Sequence, residues 1–155
     1  MFYYYFKSKQ DIYLAVVDQF LTQRLERKCS ILEDETIPFS EKQSVYRSLL
    51  QDDIKDFADK FHPQDDKSIT DASYKLWNLV QMLNRMSKSH AKYILQGVKE
   101  GALSKDLGIT EENAEAYAVY SLYGAWGMAH NAEFTDNGTV FSVKDVVEIT
   151  DKLFH

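Results

Sequence analysis

The stretch Ser8-Lys9-Gln10-Asp11-Ile12-Tyr13-Leu14-Ala15-Val16-Val17, led in by Met1-Phe2-Tyr3-Tyr4-Tyr5-Phe6-Lys7, decides how the rest of the chain reads. Ser8 with Asp11 three residues later forms a capping box, in which hydroxyl and carboxylate each satisfy a backbone N–H left unpaired at a helix start. The box predicts a helix over about residues 9–28. Its first half is apolar on nearly every side (Ile12, Leu14, Val16, Val17, Phe20, Leu21) and so belongs between other elements, while Arg24, Glu26, Arg27 and Lys28 reach solvent.

Working outward, apolar residues recur at three- and four-residue spacing and do not alternate, which predicts an all-α fold. A second helix is expected after Pro38, with Ser40 and Gln43 as its box. Its buried stripe would include Tyr46, Leu49, Ile54, Phe57 and Phe61, and His62-Pro63 would end it. Gln64 to Ser68 reads as a loop. The periodicity then resumes from Ile69 through Leu76, Trp77, Val80, Leu83, Tyr93, Ile94 and Val98, as one long helix or as two jointed at Ser87-Lys88-Ser89. Gly101 suits the left-handed position just past that helix. Thr110 is expected to cap a helix of about residues 111–132, and Ser142 with Asp145 to open a last one. The pattern shows no internal repeat, low-complexity tract or second core.

Composition limits the function classes. The 155 residues suffice for one domain, and a hydrophobic content of 45% suffices for a buried core. The formal net charge of −6 argues against a self-sufficient nucleic-acid binder, which carries a concentrated basic face. Cys29 is the single cysteine and cannot form an internal disulfide, and no segment reads as a secretion signal or a membrane span, so a cytoplasmic location is expected. No nucleophile motif, phosphate loop or metal-ligand cluster stands out, so neither enzyme activity nor a cofactor is expected. His62, His90, His130 and His155 are scattered. His130 with Glu133, one helical turn apart, is an incomplete metal pair, so no metal is expected there.

The aromatic string Tyr3-Tyr4-Tyr5-Phe6-Lys7-Ser8-Lys9 resembles the end of the recognition helix in the TetR family of transcriptional regulators. In that family the string leads into the helix joining a DNA-reading head to a ligand-binding body. Ile94-Leu95-Gln96-Gly97-Val98-Lys99-Glu100-Gly101 and the later Tyr123-Gly124-Ala125-Trp126-Gly127 are similar to the family's central helix and first dimerisation helix, which extends the resemblance over most of the chain. It implies a remnant of the recognition helix at residues 1–8 and an effector-binding and dimerisation domain at residues 9–155, working as a homodimer closed by a four-helix bundle. It also implies DNA-backbone contacts from Tyr3, Tyr4, Tyr5 and Lys9 when the rest of the head is present. A dimer face would draw on Ala118, Leu122, Gly124, Ala125, Gly127, Ala129, Val143, Val146, Val147 and Phe154. A mostly apolar effector would sit among Phe57, Trp77, Gln81, Tyr120, Tyr123 and Trp126.

For any one of these aromatics, ordinary core packing is the simpler account. The chain also reads as a free-standing helical binding or interaction protein without operator binding. Specific readout needs a packed recognition helix in the major groove, and only a last turn of one is readable here. The chain as given is therefore expected to show only weak, salt-sensitive attraction to DNA through Lys7 and Lys9. Fluorescence anisotropy with genomic fragments checks this, and nanomolar, sequence-dependent binding at physiological salt would contradict it.

Overall fold

The computed structural model describes residues 9–60, 72–134 and 137–154, which form helices α1 (Lys9–Glu33), α2 (Phe39–Lys60), α3 (Ala72–Lys99), α4 (Ala114–Ala129), α5 (Asn131–Phe134) and α6 (Val143–Phe154). A 3₁₀ turn at Lys105–Leu107 joins α3 to α4. The fold is all-helical, with no strand among the described residues. Tyr3, Tyr4 and Tyr5, Ser8 of the first capping box, the His62-Pro63 stop and the Gln64–Ser68 loop lie outside the described residues, as do the side chains of Phe57 and Phe154.

α3 is the central element, packed chiefly against α4 on one side and α1 on the other. Two apolar clusters fill these contacts. One joins Leu32, Phe39, Tyr93, Ile94, Leu103 and Ala118, and the other joins Leu25, Met82, Leu83, Met86, Leu122 and Trp126. Residues 118, 122 and 126 lie four apart on α4, so one stripe of that helix is buried against α3.

At two local helix signals, expectation and structure agree. Ser142 N–H donates to Asp145 Oδ2 at 2.7 Å and Asp145 N–H donates to Ser142 Oγ at 3.1 Å, the reciprocal pair of a capping box. Gly101 sits at φ 78°, with its N–H on the Val98 carbonyl and the next N–H, of Ala102, on the Gly97 carbonyl. This double bond pattern ends α3 as a Schellman motif, a conformation in which glycine avoids the strain of a Cβ.

Of the two alternatives for the segment from Ile69 to Val98, a single helix is the one that forms over its described part. α3 runs unbroken through Ser87-Lys88-Ser89, because both serines are buried and paired: Ser89 Oγ donates to Glu33 Oε1 at 2.8 Å, and Ser87 Oγ donates to the Asn84 carbonyl at 3.0 Å. α4 starts at Ala114, three residues later than Thr110 implied. Asn113 holds the preceding turn instead, accepting from Thr110 N–H at 2.7 Å and donating to the Gly108 carbonyl at 2.9 Å. α2 starts at Phe39, directly after Pro38 as expected, but the N–H there is met by Glu100 Oε2, one residue past α3, at 2.8 Å and not by a Ser40/Gln43 box. A carboxylate from a distant segment does the work of a local cap, which no sequence window can reveal.

α1 extends five residues past its expected end, to Glu33. Its last turn is held by Lys42, a wholly buried lysine on α2 whose ammonium donates to the Leu32 carbonyl at 2.9 Å and to Gln96 Oε1. Gln96 in turn donates to the Ile37 carbonyl at 2.8 Å, so the α1–α2 turn is bound to α3 through side chains. Burial pushes the Lys42 pKa down, partly opposed by Asp34, Glu100 and Glu35.

Gly97 allows this close approach, since a Cβ there would lie 2.6 Å from Phe39 Cε2 and 2.9 Å from Leu103. Gly97→Ala is therefore expected to destabilise the fold by about 1–3 kcal/mol through overpacking, measured by urea unfolding. Lys42→Met, which keeps the stem and orphans two buried acceptors, is expected to cost about 2 kcal/mol in the same assay.

Candidate functional site

A cleft opens where α2, α3, α4 and α6 converge, with about 60 Å³ of internal space and one side open to solvent. α2 supplies Phe39 and Gln43, and α3 supplies His90, Tyr93 and Ile94, with Leu103 following in the loop. The far wall is polar, made of Ser121 from α4 and Thr150 and Asp151 from α6. Phe39 stacks on Tyr93 with centroids 4.5 Å apart, so the apolar wall is a rigid aromatic pair.

His90 is 9% exposed and tilts against Tyr46 and Tyr93, at centroid distances of 5.8 and 5.4 Å. Its Nδ1 has no hydrogen-bond partner. Burial among rings disfavours the imidazolium and lowers the His90 pKa to about 4, so the ring is neutral at pH 7. Burial likewise raises the pKa of the Tyr93 phenol, with the charge of Arg47 opposing the shift and that of Asp151 adding to it. Arg47 holds Asp151 through Nη2 at 2.8 and 2.9 Å, tying α2 to α6 beside the cleft. Both partners are about 40% exposed, so the pair sets position more than it adds stability.

The effector residues expected from sequence are not brought together. Tyr120 and Tyr123 face solvent at 73% and 42% exposure, and Trp77 is 50% exposed. Gln81 is half-buried, and Trp126 is enclosed in the core cluster with Leu25, Met82 and Met86, stacked on His130 and with Lys28 Nζ 5.8 Å from its ring centroid. None of these lines the cleft.

The expected dimer face divides in two. Ala118 and Leu122 are fully enclosed against α3, and Val146 is buried, so these three serve the chain's own core. Ala125, Ala129, Val143 and Val147 are half-buried, and Gly124 and Gly127 are exposed, with nothing within 4 Å of where a Cβ would stand. Lys9 is exposed. Among the described residues no three His, Cys, Asp or Glu side chains are placed to hold a metal, and no helix is long and apolar enough to cross a membrane.

Sequence reasoning passed over His90, Tyr93, Ser121 and Thr150. The available signal was position: His90 lies four residues after Met86 and four before Ile94, a polar group in the middle of a buried helical stripe.

No protein-family model, curated protein or solved structure matches the chain.

Because the folded state holds His90 neutral while an unfolded chain protonates it near pH 6.5, the unfolded state binds more protons between pH 6.5 and about 4. Stability should therefore fall by roughly 3 kcal/mol as pH drops through that window. His90→Phe should flatten this segment of the pH–stability curve, as followed by urea midpoints, and an unchanged slope in the variant would assign the acid sensitivity to other groups.

Proposed function

We propose that the chain is the effector-binding and dimerisation portion of a TetR-like transcriptional regulator, a repressor released when a small, largely apolar ligand binds the body. The observation that carries this reading is the outer surface of α4 and α6. Val119, Tyr120 and Tyr123 on α4 and Ile149 and Leu153 on α6 are exposed apolar side chains, flanked by the open small-residue positions Gly124 and Gly127. Two helices presenting large apolar groups beside glycines form one half of a four-helix bundle, and a two-fold axis supplies the other half from an identical surface.

The occupant of this surface is a second copy of the chain. Tyr120 and Tyr123 carry hydroxyls that tolerate water before assembly and retain partners at the rim afterwards. Operator DNA is a partner only through a complete head, whose phosphate contacts would include Lys9, and the body's net charge of −6 supports leaving DNA to that head. The same acidic balance favours, as a second reading, a free-standing helical binding protein that dimerises without reading DNA. The coding sequence directly upstream of Met1 separates the two, because the regulator reading needs an in-frame pair of helices there.

Sedimentation at micromolar concentration should give twice the mass of the chain. Tyr123→Glu should give a monomer while leaving the helical signal intact, because the side chain touches solvent and not the core. A wild-type monomer would refute the dimer, and with it the repressor reading.

A further inference from the structure

We propose that the cleft between α2, α3, α4 and α6 binds a small uncharged aromatic molecule that donates a hydrogen bond, a phenol being the simplest of the class, with its ring against the Phe39–Tyr93 wall and its hydroxyl directed at His90 and the polar wall opposite. The proposal rests on the ligand-binding part of the function proposed above. It moves the ligand site away from the exposed tyrosines and Trp77, and it is independent of DNA binding.

The hydrogen-bonding inventory selects a donor. Ser121 Oγ already donates its hydrogen to the Ala118 carbonyl at 3.1 Å, and Thr150 Oγ1 donates its own to the Val146 carbonyl at 2.8 Å. What both present to the cleft is lone pairs. Asp151 contributes only acceptors, with its charge answered by Arg47. His90 lines the same space with a buried, unpartnered Nδ1, and in the neutral ring one nitrogen is an acceptor. A buried polar atom without a partner is costly, and Nδ1 is screened from water as the ring stands, so a ligand hydroxyl removes that cost by drawing the imidazole round to the cleft, which a purely apolar ligand cannot do.

Charge and size narrow the class further. A neutral imidazole gives an anion no counter-charge, and the Arg47 guanidinium is engaged by Asp151. About 60 Å³ admits one end of a small ring compound and leaves its remainder at the open side, so a larger molecule would have to present such a group at its tip. Phe39 and Tyr93 cover one another's faces and leave their remaining apolar surface to the cleft, where an aromatic partner packs against it.

The test is a titration of the full chain, labelled with ¹⁵N in its histidine rings, with phenol, toluene and benzoate at pH 7, the His90 signals being assigned by their absence in His90→Phe. Phenol should shift the His90 ring nitrogens saturably, toluene should bind at least tenfold more weakly, and benzoate should not bind. Thr150→Val, which removes a cleft acceptor at constant shape, should weaken phenol several-fold while leaving the fold intact. Phenol that leaves His90 unmoved, or toluene that binds as well as phenol, would overturn the proposal. Lipophilic compounds that raise the melting temperature without moving His90 would also overturn it, and would leave the ligand-binding role of the body standing elsewhere in the fold.

Discussion

The ammonium of Lys42, taken wholly out of water, is the contact on which the arrangement of the first three helices depends. An isolated buried cation costs several kcal/mol, so this one persists only because its hydrogens meet the Leu32 carbonyl and the Gln96 amide oxygen in fixed directions. Those directions specify a register. Leu32 ends α1, Lys42 lies in the second turn of α2, and Gln96 is near the end of α3, so one side chain measures three helices against each other. Gln96 in the last turn of α3 and Glu100 just past its end then bind the incoming backbone at the Ile37 carbonyl and the Phe39 N–H. With Gly97 between them, the Phe39 ring can lie flat on Tyr93. The aromatic wall of the cleft is therefore a consequence of how the α1–α2 turn is held.

What could be read in advance follows the range of the interactions involved. The Ser142–Asp145 box and the Gly101 terminus are completed within six residues, and both occur where the sequence predicts them. The end of α1 is held by Lys42 reaching across the fold, and there the expected boundary, about residue 28, falls five residues short. Ser87-Lys88-Ser89 left one helix or two open for a related reason. Three polar residues in a row resemble a joint, yet Ser87 and Ser89 spend their hydroxyls on a helical carbonyl and on the Glu33 carboxylate of α1, and a paired serine does not break a helix.

The candidate site was less legible than the fold because periodicity states which positions avoid water, but not what covers them. α4 illustrates this limit. Ala114, Ala118, Leu122 and Trp126 face α3, while Val119, Tyr120 and Tyr123 face away from the core, and in sequence the helix is simply apolar on most sides. An all-round apolar helix is covered on every side by something. Of the cavity residues expected on α4, Tyr120 and Tyr123 face outward and Trp126 inward, and of the dimer residues expected there, Ala118 and Leu122 face inward and Gly124 and Gly127 outward. Spacing along such a helix does not tell one side from the other. His90 was missed because a histidine amid apolar residues reads as a packed ring, and only the three-dimensional neighbours show its Nδ1 left without a partner.

Helices α4 and α6 carry residues of both proposed surfaces. Ser121, Thr150 and Asp151 look into the cleft from α4 and α6, and Tyr120, Tyr123, Ile149 and Leu153 look out from those same helices. Helices packed at interior density do not deform continuously, so a group entering on one side is accommodated by a shift of the helix as a body or not at all. A ligand changes the balance between two helix arrangements only to the extent that it binds one better than the other. The Arg47–Asp151 pair joins α6 to α2 beside the cleft, and its carboxylate oxygens keep lone pairs for a further donor after both guanidinium bonds are made. In the regulator proposed above, coupling between cleft and dimer face would need no chain of contacts through the core, because α4 and α6 each carry residues of both surfaces.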